Sequence, residues 1–402
     1  MHIGFFSDNF YPELSGIADT ILRTGKELAS RGHRITFFAP THPKENYALV
    51  GRAYEEPDFG KNIRVVRFGS LGYPTGTGQG RLVIPTGLRW LGMKQDPPDV
   101  MHVHLPFGMG LEGLAAAHAL RAPLVGTNHT PISEFLRYSP IHAEWLFRAI
   151  VTYDTWFYSR CDFVSSPCAD IFTEMASHGF QKPHRVVPNA VDIARFTPSH
   201  SKKTLKQKHG FSEFTVLYVG RLAKEKSIDV ILRAVAQAKK EVPALSVVLT
   251  GRGSAEVELR ALAKELGIAD AVRFLGFVEE KLLPEIYAAS EVFVIASTSE
   301  TQSIAAAQAM ATGIPIVGVR AWGLKDYITP SLGFLVAPGD TPAIAAHLVQ
   351  LAQNPKLRAT LGKGGVSFAK TLSPEAIADM WEEIYRTAIR TYHTHREASR
   401  SL

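Results

Sequence analysis

The chain predicts an α/β protein of two doubly wound domains facing a cleft, and three observations carry that reading. Short, β-branched apolar runs alternate with helix-forming stretches, and the alternation occurs twice along the chain. EVFVIAS in particular is β-branched and apolar, as a strand covered on both faces of a parallel sheet should be. A polar, lysine-rich break separates the two series. In the first half the strands are HIGFFSD, HRITFFAP, IRVVRFG, DVMHVH, PLVGTNH and DFVSSP. Helical segments lie between most of them, such as IADTILRTGKELASRG, which stops at Gly32. The second half repeats the scheme with TVLYVG, LSVVLTG, AVRFLG, EVFVIAS, IPIVGV and GFLVAP. The expected organisation is a first domain over 1–197, a linker over 198–212, a second domain over 213–380 and a terminal helix over 381–402. In open parallel sheets ligands bind beyond the carboxyl ends of the strands, so the strand-to-helix loops are where function is sought.

Composition narrows the class. The 402 residues suffice for two cores, and 46% hydrophobic with 20% charged residues is an ordinary soluble balance. Cys161 and Cys168 cannot form a zinc site alone and fit reduced thiols. MHIGFF runs directly into a strand, so no signal peptide is expected, and no apolar run reaches membrane-span length. A cytoplasmic protein is therefore expected. The net charge is +6, yet residues 1–197 carry 19 basic and 18 acidic side chains. The excess sits in HSKKTLKQKHG and the tail after Arg386, too diffuse to argue for a nucleic acid partner.

The loops carry the chemistry. After the first strand, SDNFYPELSGIADT sets Ser15 and Gly16 at a helix start, where N–H groups could approach an anion or a sugar; a plain tight turn explains them equally well. The stretch lacks the three-glycine dinucleotide pattern, which disfavours a nicotinamide site. His102, His104 and His129 fall at strand ends, the first two read as hydrogen-bonded scaffolding, and no carboxylate stands at ligand spacing, so no metal is expected. In VGRLAKEKSIDVIL, Arg221 and Lys226 sit at a helix mouth, opposing its dipole, which makes sense if a diphosphate lies there. LTGRGSAE adds a turn at Gly251 and Gly253, and FLGFVEE brings Phe277 and Val278 to a loop where main-chain atoms could read a base. Glu300 stands between the strand EVFVIAS and an alanine-rich helix ended by Gly313 and Pro315. It is either a helix cap or a carboxylate facing the crevice.

In order and content these motifs resemble the retaining nucleotide-sugar glycosyltransferases of family four, which have the GT-B fold of two Rossmann-like domains. The resemblance spans essentially the whole chain and rests on Ser15-Gly16, VPNAVD, GRLAKEK and SETQSIAAAQAMATGIP. It implies that Arg221 and Lys226 bind the donor diphosphate and that Glu300 binds sugar hydroxyls. It also implies that the amides after Glu300, from Thr301 and Gln302 to Ser303 and Ile304, cap phosphate and sugar. His129 resembles the family histidine that approaches the reacting centre, Gly16 the residue approaching the diphosphate from the opposite domain, and Phe277-Val278 the border of the base. A retaining enzyme of this kind stabilises a departing diphosphate and a cationic sugar together, which the two cations and the carboxylate would do without a metal. One position departs from the pattern: the family's second glutamate is Gln308 here, neutral and with one acceptor oxygen. Losing that charge costs about 1 kcal/mol of donor binding.

SETQ, HLPFGMG and HTPISEFLRY further resemble the membrane-lipid branch, such as diacylglycerol glucosyltransferases and their mannosyl relatives. That resemblance implies UDP-glucose as donor, with GDP-mannose the alternative, a lipid acceptor, and a peripheral place on the inner face of the cell membrane. Phe135 to Arg160 carries eight aromatics and three arginines; it suits a bilayer surface or a helix packed beneath the cleft. A soluble sugar or polysaccharide acceptor, a nucleotide-sugar epimerase and a binding partner without turnover remain alternatives.

Overall fold

The structure, a computed structural model, describes residues 1–75, 78–130, 144–197 and 200–400. It divides into two compact units, Met1–Ala190 with Pro374–Leu402, and Val191–Ser373.

The sheet of unit 1 is built from β1 (His2–Phe6), β2 (Arg34–Pro40), β3 (Ile63–Phe68), β6 (Val100–Val103), β7 (Leu124–Thr127), β8 (Phe163–Ser166) and β9 (His184–Val186). Its order is β3-β2-β1-β6-β7-β8-β9, and every pairing is parallel. A short antiparallel hairpin, β4 (Leu71–Gly72) with β5 (Arg81–Leu82), stands apart. Each of the six first-half segments read as strands is a strand; β9 and the hairpin, two or three residues long, carry no periodicity to read. The helix Gly16–Ser30 follows β1, capped by Ser15, whose hydroxyl accepts from Ala18 N.

The long helix Pro374–Arg400 belongs to unit 1. Ile377, Ala378, Trp381, Ile384, Tyr385 and Ala388 recur at helical spacing and form one buried stripe, packed with Ile3, Phe5 and Val100 of the sheet. Burying large side chains of this kind contributes about 1.5–3 kcal/mol each. At the rim Arg31 bonds Asp379 at 2.6 Å and Arg185 bonds Glu383 at 2.7 Å.

Unit 2 contains β10 (Phe214–Val219), β11 (Leu245–Thr250), β12 (Val272–Gly276), β13 (Val292–Ile295), β14 (Ile316–Val319) and β15 (Gly333–Val336), in the order β12-β11-β10-β13-β14-β15, all parallel. The lysine-rich stretch expected as a linker is instead a helix, Lys202–His209, inside unit 2. Ser201 caps its start and Gly210, at φ +62°, its end. Its lysines pair with the rest of the unit: Lys206, 15% exposed, bonds Glu291 at 2.7 Å, and the more exposed Lys208 bonds Glu285 at 2.7 Å. Residues 198–199 of the expected linker lie outside the described residues.

In both sheets the strand order reverses at one place, between β1 and β6 in unit 1 and between β10 and β13 in unit 2. Loops leaving adjacent strands at such a reversal diverge to opposite faces and leave a crevice.

Candidate functional site

In unit 2 the reversal is where the expected donor residues gather. Beyond β10 the chain passes Gly220 and Arg221, buries Leu222, and makes a short turn at Lys224–Lys226 before the helix Ile228–Ala238. Beyond β13, the neighbouring strand, comes Glu300. Lys226 Nζ lies 2.6 Å from Glu300 Oε1, joining the two strand ends, and both side chains are about four-fifths buried, at 18% and 17% exposure. Arg221, half exposed, bonds Glu225 at 2.8 Å. Glu225 was not foreseen as a partner, although its place four residues after Arg221 in GRLAKEK is a readable signal.

The cap explanation for Glu300 fails on the hydrogen bonds. Ser303 caps the helix Ile304–Thr312 by accepting from Ala306 N, and Glu300 offers its main-chain oxygen to Gly323 N at 2.9 Å while its carboxylate faces Lys226. Gln302 and Ser303 are buried; Thr301 and Ile304 are half-buried beside them. Gln308 is half-buried on the same helix, and its Oε1 accepts from the Tyr287 hydroxyl at 3.1 Å.

The glycine turn at Gly251 and Gly253 has a second reason to exist. Gly220 N donates to Thr250 O, Leu222 N to Arg252 O and Gly251 N to Gly276 O, so the ends of β10, β11 and β12 are laced together by main chain. A Cβ on Gly251, itself at φ +111°, would overlap Gly220 O, and one on Gly253 would overlap Leu222 O. Close approach of one loop to the next therefore demands both glycines. Phe277 is half exposed at the end of β12, whereas Val278 packs against the core of the unit.

In unit 1 the ends of β1, β6 and β7 carry a buried polar cluster. The Asp8 carboxylate accepts from Val83 N at 3.0 Å and Met109 N at 2.9 Å, and Gly108 makes room for it, since a Cβ there would run into the carboxylate. Burial nevertheless pushes the Asp8 carboxyl up to about 6. Glu13, held by Asn9 and Ser15, is pushed by burial to about 7. Ser15 thus serves both as cap and as a partner of Glu13, and Gly16 is exposed at the first helical position.

His102 is bonded on both ring nitrogens, to the Tyr385 hydroxyl at 2.8 Å and to Thr127 Oγ1 at 2.6 Å. His104 Nδ1 meets His129 Nε2 at 3.0 Å. Burial holds His102 and His104 well below the usual histidine range and His129 down to about 3, so the three rings are neutral near pH 7. His129 is therefore no proton store; what it offers is a fixed, neutral imidazole and its main chain. Among the described residues no three His, Cys, Asp or Glu side chains gather so as to hold a metal ion.

Beside this cluster unit 1 holds a half-open cavity of about 450 Å³ with mostly apolar walls, to which Leu82, Leu105, Phe107 and Ile150 contribute and which Asp8, Asn9, Asn128 and Asp154 also line. Asp154 lies on the helix Glu144–Tyr158, which buries Val151, Phe157 and Tyr158 and exposes Trp145 and Trp156. That helix is the described part of the aromatic stretch; residues 135–143 lie outside the described residues. Neither Asn128 nor Asp154 was singled out from the sequence. Their signal exists only in three dimensions.

The family described as Glycosyltransferase Family 4 matches residues 14–195, and that described as Glycosyl transferases group 1 matches residues 201–367. The chain is 26% identical over 400 residues to the alpha-monoglucosyldiacylglycerol synthase of Acholeplasma laidlawii, covering 96% of each chain. It is 28% identical over 373 residues to the GDP-mannose-dependent alpha-mannosyltransferase of Mycobacterium tuberculosis, covering 90% of this chain and 93% of that one. Among solved structures, HepE of Anabaena in complex with UDP superposes with a TM-score of 0.75 at 20% identity, over 96% of this chain and 99% of that one. Sucrose-phosphate synthase of Thermosynechococcus elongatus also gives 0.75 at 20% identity, over 97% and 99%. These two likenesses show the GT-B fold. With its two matched halves, the chain belongs to glycosyltransferase family four, and it is an enzyme that transfers a hexosyl group from a nucleotide sugar.

Proposed function

We propose that this enzyme moves glucose from UDP-glucose onto the free hydroxyl of a membrane lipid such as diacylglycerol, with retention at the anomeric carbon. The observation that carries the acceptor assignment is the apolar cavity of unit 1 together with the surface around it. Tyr73, Leu82 and Phe107 line the cavity and are also exposed, and Leu71, Ile84, Leu88 and Leu91 near them in sequence are exposed as well. Large apolar side chains exposed at the cavity's own lining suit an apolar partner, and an amphiphile's chains would enter the cavity past them. The identity to alpha-monoglucosyldiacylglycerol synthase supports the same acceptor class. Among the described residues no helix is long and apolar enough to cross a membrane. The reading is accordingly a peripheral enzyme on the cytoplasmic face.

In this reading unit 2 holds the donor. Arg221 and Lys226 take the diphosphate, Glu300 the sugar hydroxyls, and the amides of Thr301 to Ile304 cap phosphate and sugar. Gln308 takes the ribose, Gly251 and Gly253 keep their loop close to the nucleotide, and Phe277 with Val278 borders the base. Ser15, Gly16 and His129, at the carboxyl end of the sheet of unit 1, keep the roles toward the donor that the sequence resemblance implies. The bond from the anomeric carbon to the acceptor oxygen forms as the bond to phosphate oxygen breaks, and the hydroxyl proton leaves with the diphosphate. No metal is assigned a part. The relatedness to a GDP-mannose-dependent mannosyltransferase favours one second reading, mannose from GDP-mannose onto the same acceptor class.

Incubation with radiolabelled UDP-glucose or GDP-mannose and a lipid extract tests this. Label in the organic phase from UDP-glucose is the expected result. Label from GDP-mannose selects the second reading, and label only on a water-soluble sugar overturns the lipid acceptor.

A further inference from the structure

Four carboxyl and amide side chains line the cavity of unit 1, Asp8, Asn9, Asn128 and Asp154, and they are not equivalent; Asn9 donates to both carboxylate oxygens of Glu13. Both oxygens of Asp8 are taken by main-chain N–H groups, which makes it a brace between β1 and the start of the helix Gly108–Leu120. Asn128 is held at both ends of its amide: Oδ1 accepts from Thr130 N at 3.2 Å, and Nδ2 donates to Asp154 Oδ2 at 2.8 Å. Asp154, only 4% exposed, accepts that one hydrogen bond among the described residues. Among the described residues the charged group that bears on it is another carboxylate, Glu174, so no ion pair among them explains the placement. A carboxyl buried with a single neutral partner costs stability, and an apolar side chain would line the wall better. Such a group is kept when a ligand supplies the missing partner.

We propose that Asp154, oriented by Asn128, is the acceptor-recognition residue, hydrogen-bonding the free hydroxyl of an amphiphilic alcohol whose apolar chain lies along Leu82, Leu105, Phe107 and Ile150. The inference rests on the lipid-acceptor reading and adds to it the polar end of the subsite. Burial pushes the Asp154 carboxyl up to about 8, so near neutral pH it carries a proton and can both donate to and accept from a hydroxyl. This suits a neutral alcohol, whose hydroxyl can use both functions at once. Such a site rejects an analogue lacking the hydroxyl far more strongly than one lacking a methylene.

The experiment compares wild type, Asp154→Asn and Asp154→Ala, using UDP-glucose as donor and dioctanoylglycerol in mixed micelles as acceptor probe. UDP-glucose binding by calorimetry and the thermal melt are followed in parallel. Asp154→Ala is expected to raise KM for dioctanoylglycerol at least tenfold, with kcat, donor Kd and melting less affected. Asp154→Asn, which keeps one donor and one acceptor, is expected to stay within threefold of wild type. If wild type glucosylates the probe and Asp154→Ala has the same KM, the recognition role is overturned while the lipid reading stands. If acceptor KM, donor Kd and melting all deteriorate together in both variants, Asp154 is structural and the proposal falls. If wild type transfers to a soluble sugar and never to the lipid probe, the lipid reading fails and takes the proposal with it.

Discussion

Lys226 and Glu300 hold each other at 2.6 Å, and neither meets a ligand without loosening that grip. Both side chains are about four-fifths buried, so a diphosphate that claims the lysine must take the carboxylate's place as its partner, and the carboxylate is then left for the sugar. A charge beside a developing sugar cation is worth more in the transition state than in the ground state. Glu300→Gln should therefore lower kcat by about 10²–10³-fold, as removal of one electrostatic stabiliser typically does. The donor Kd, read by calorimetry, should stay the same or tighten, since Lys226 is released. Full turnover in that variant would leave Glu300 only its structural bond to Lys226. Gln308 is a different case, because its Oε1 already accepts from the buried Tyr287 hydroxyl. A glutamate there keeps that bond and adds a charge. Gln308→Glu should lower the Michaelis constant for donor about fivefold, the equivalent of about 1 kcal/mol, with kcat unchanged.

The loops and strands show how much of this was open to reading in one dimension. The twelve strands of four residues or more were legible because their apolar, β-branched residues stand between turns that punctuate them, even where, as in β3, arginines interrupt the run. β9 and the hairpin β4–β5 were not, since two or three residues carry no period. The helix Lys202–His209 reads as linker because its lysines look solvated; only Glu285 and Glu291, far along the chain, make them structural. At the site, Arg221, Lys226 and Glu300 were legible since each follows a strand closely. The pairing of Asn128 with Asp154 was not, because it depends on how one helix lies over one strand end. The glycine turn was legible as a turn but not as lacing. Gly253→Ala should cost about 1 kcal/mol or more of stability in unit 2, measured by urea unfolding, because the loop must back away from Leu222 O.

Across the molecule, the buried ionisable groups set a pH profile of stability. His42, held by burial to about 4, and His129, held to about 3, gain no proton in the folded chain at pH values where the unfolded chain does. Their contribution is complete above the ordinary histidine value and is lost as pH falls below about 6.5. Glu13, pushed to about 7, and Asp154, pushed to about 8 beside Glu174 and Tyr158, act in the opposite sense. They keep a proton that the unfolded chain has already lost, so stability falls as pH rises toward those values. Between pH 6.5 and 8 only the carboxyl effect is in play among these four. Unit 1 should weaken over that interval, and Asp154→Asn should recover about 2 kcal/mol of the loss at pH 8 in urea midpoints. A flat wild-type profile would contradict the burial of these groups.

Unit 1 takes its closing helix, Pro374–Arg400, from the far side of unit 2 in chain order. A ribosome therefore delivers the seven strands of that sheet long before the helix that seals them, and the nascent chain must carry an open apolar face while all of unit 2 is made. Unit 2, continuous from Val191 to Ser373, has no such wait and can fold as soon as it emerges. The fragment Met1–Ala190 alone should bind a hydrophobic dye and melt without a cooperative transition, because Trp381 and Tyr385 are missing from its core. Adding the Pro374–Arg400 peptide in trans should restore the transition. If the fragment folds cooperatively unaided, the helix is an ornament of the unit and the order of synthesis places no burden on chaperones.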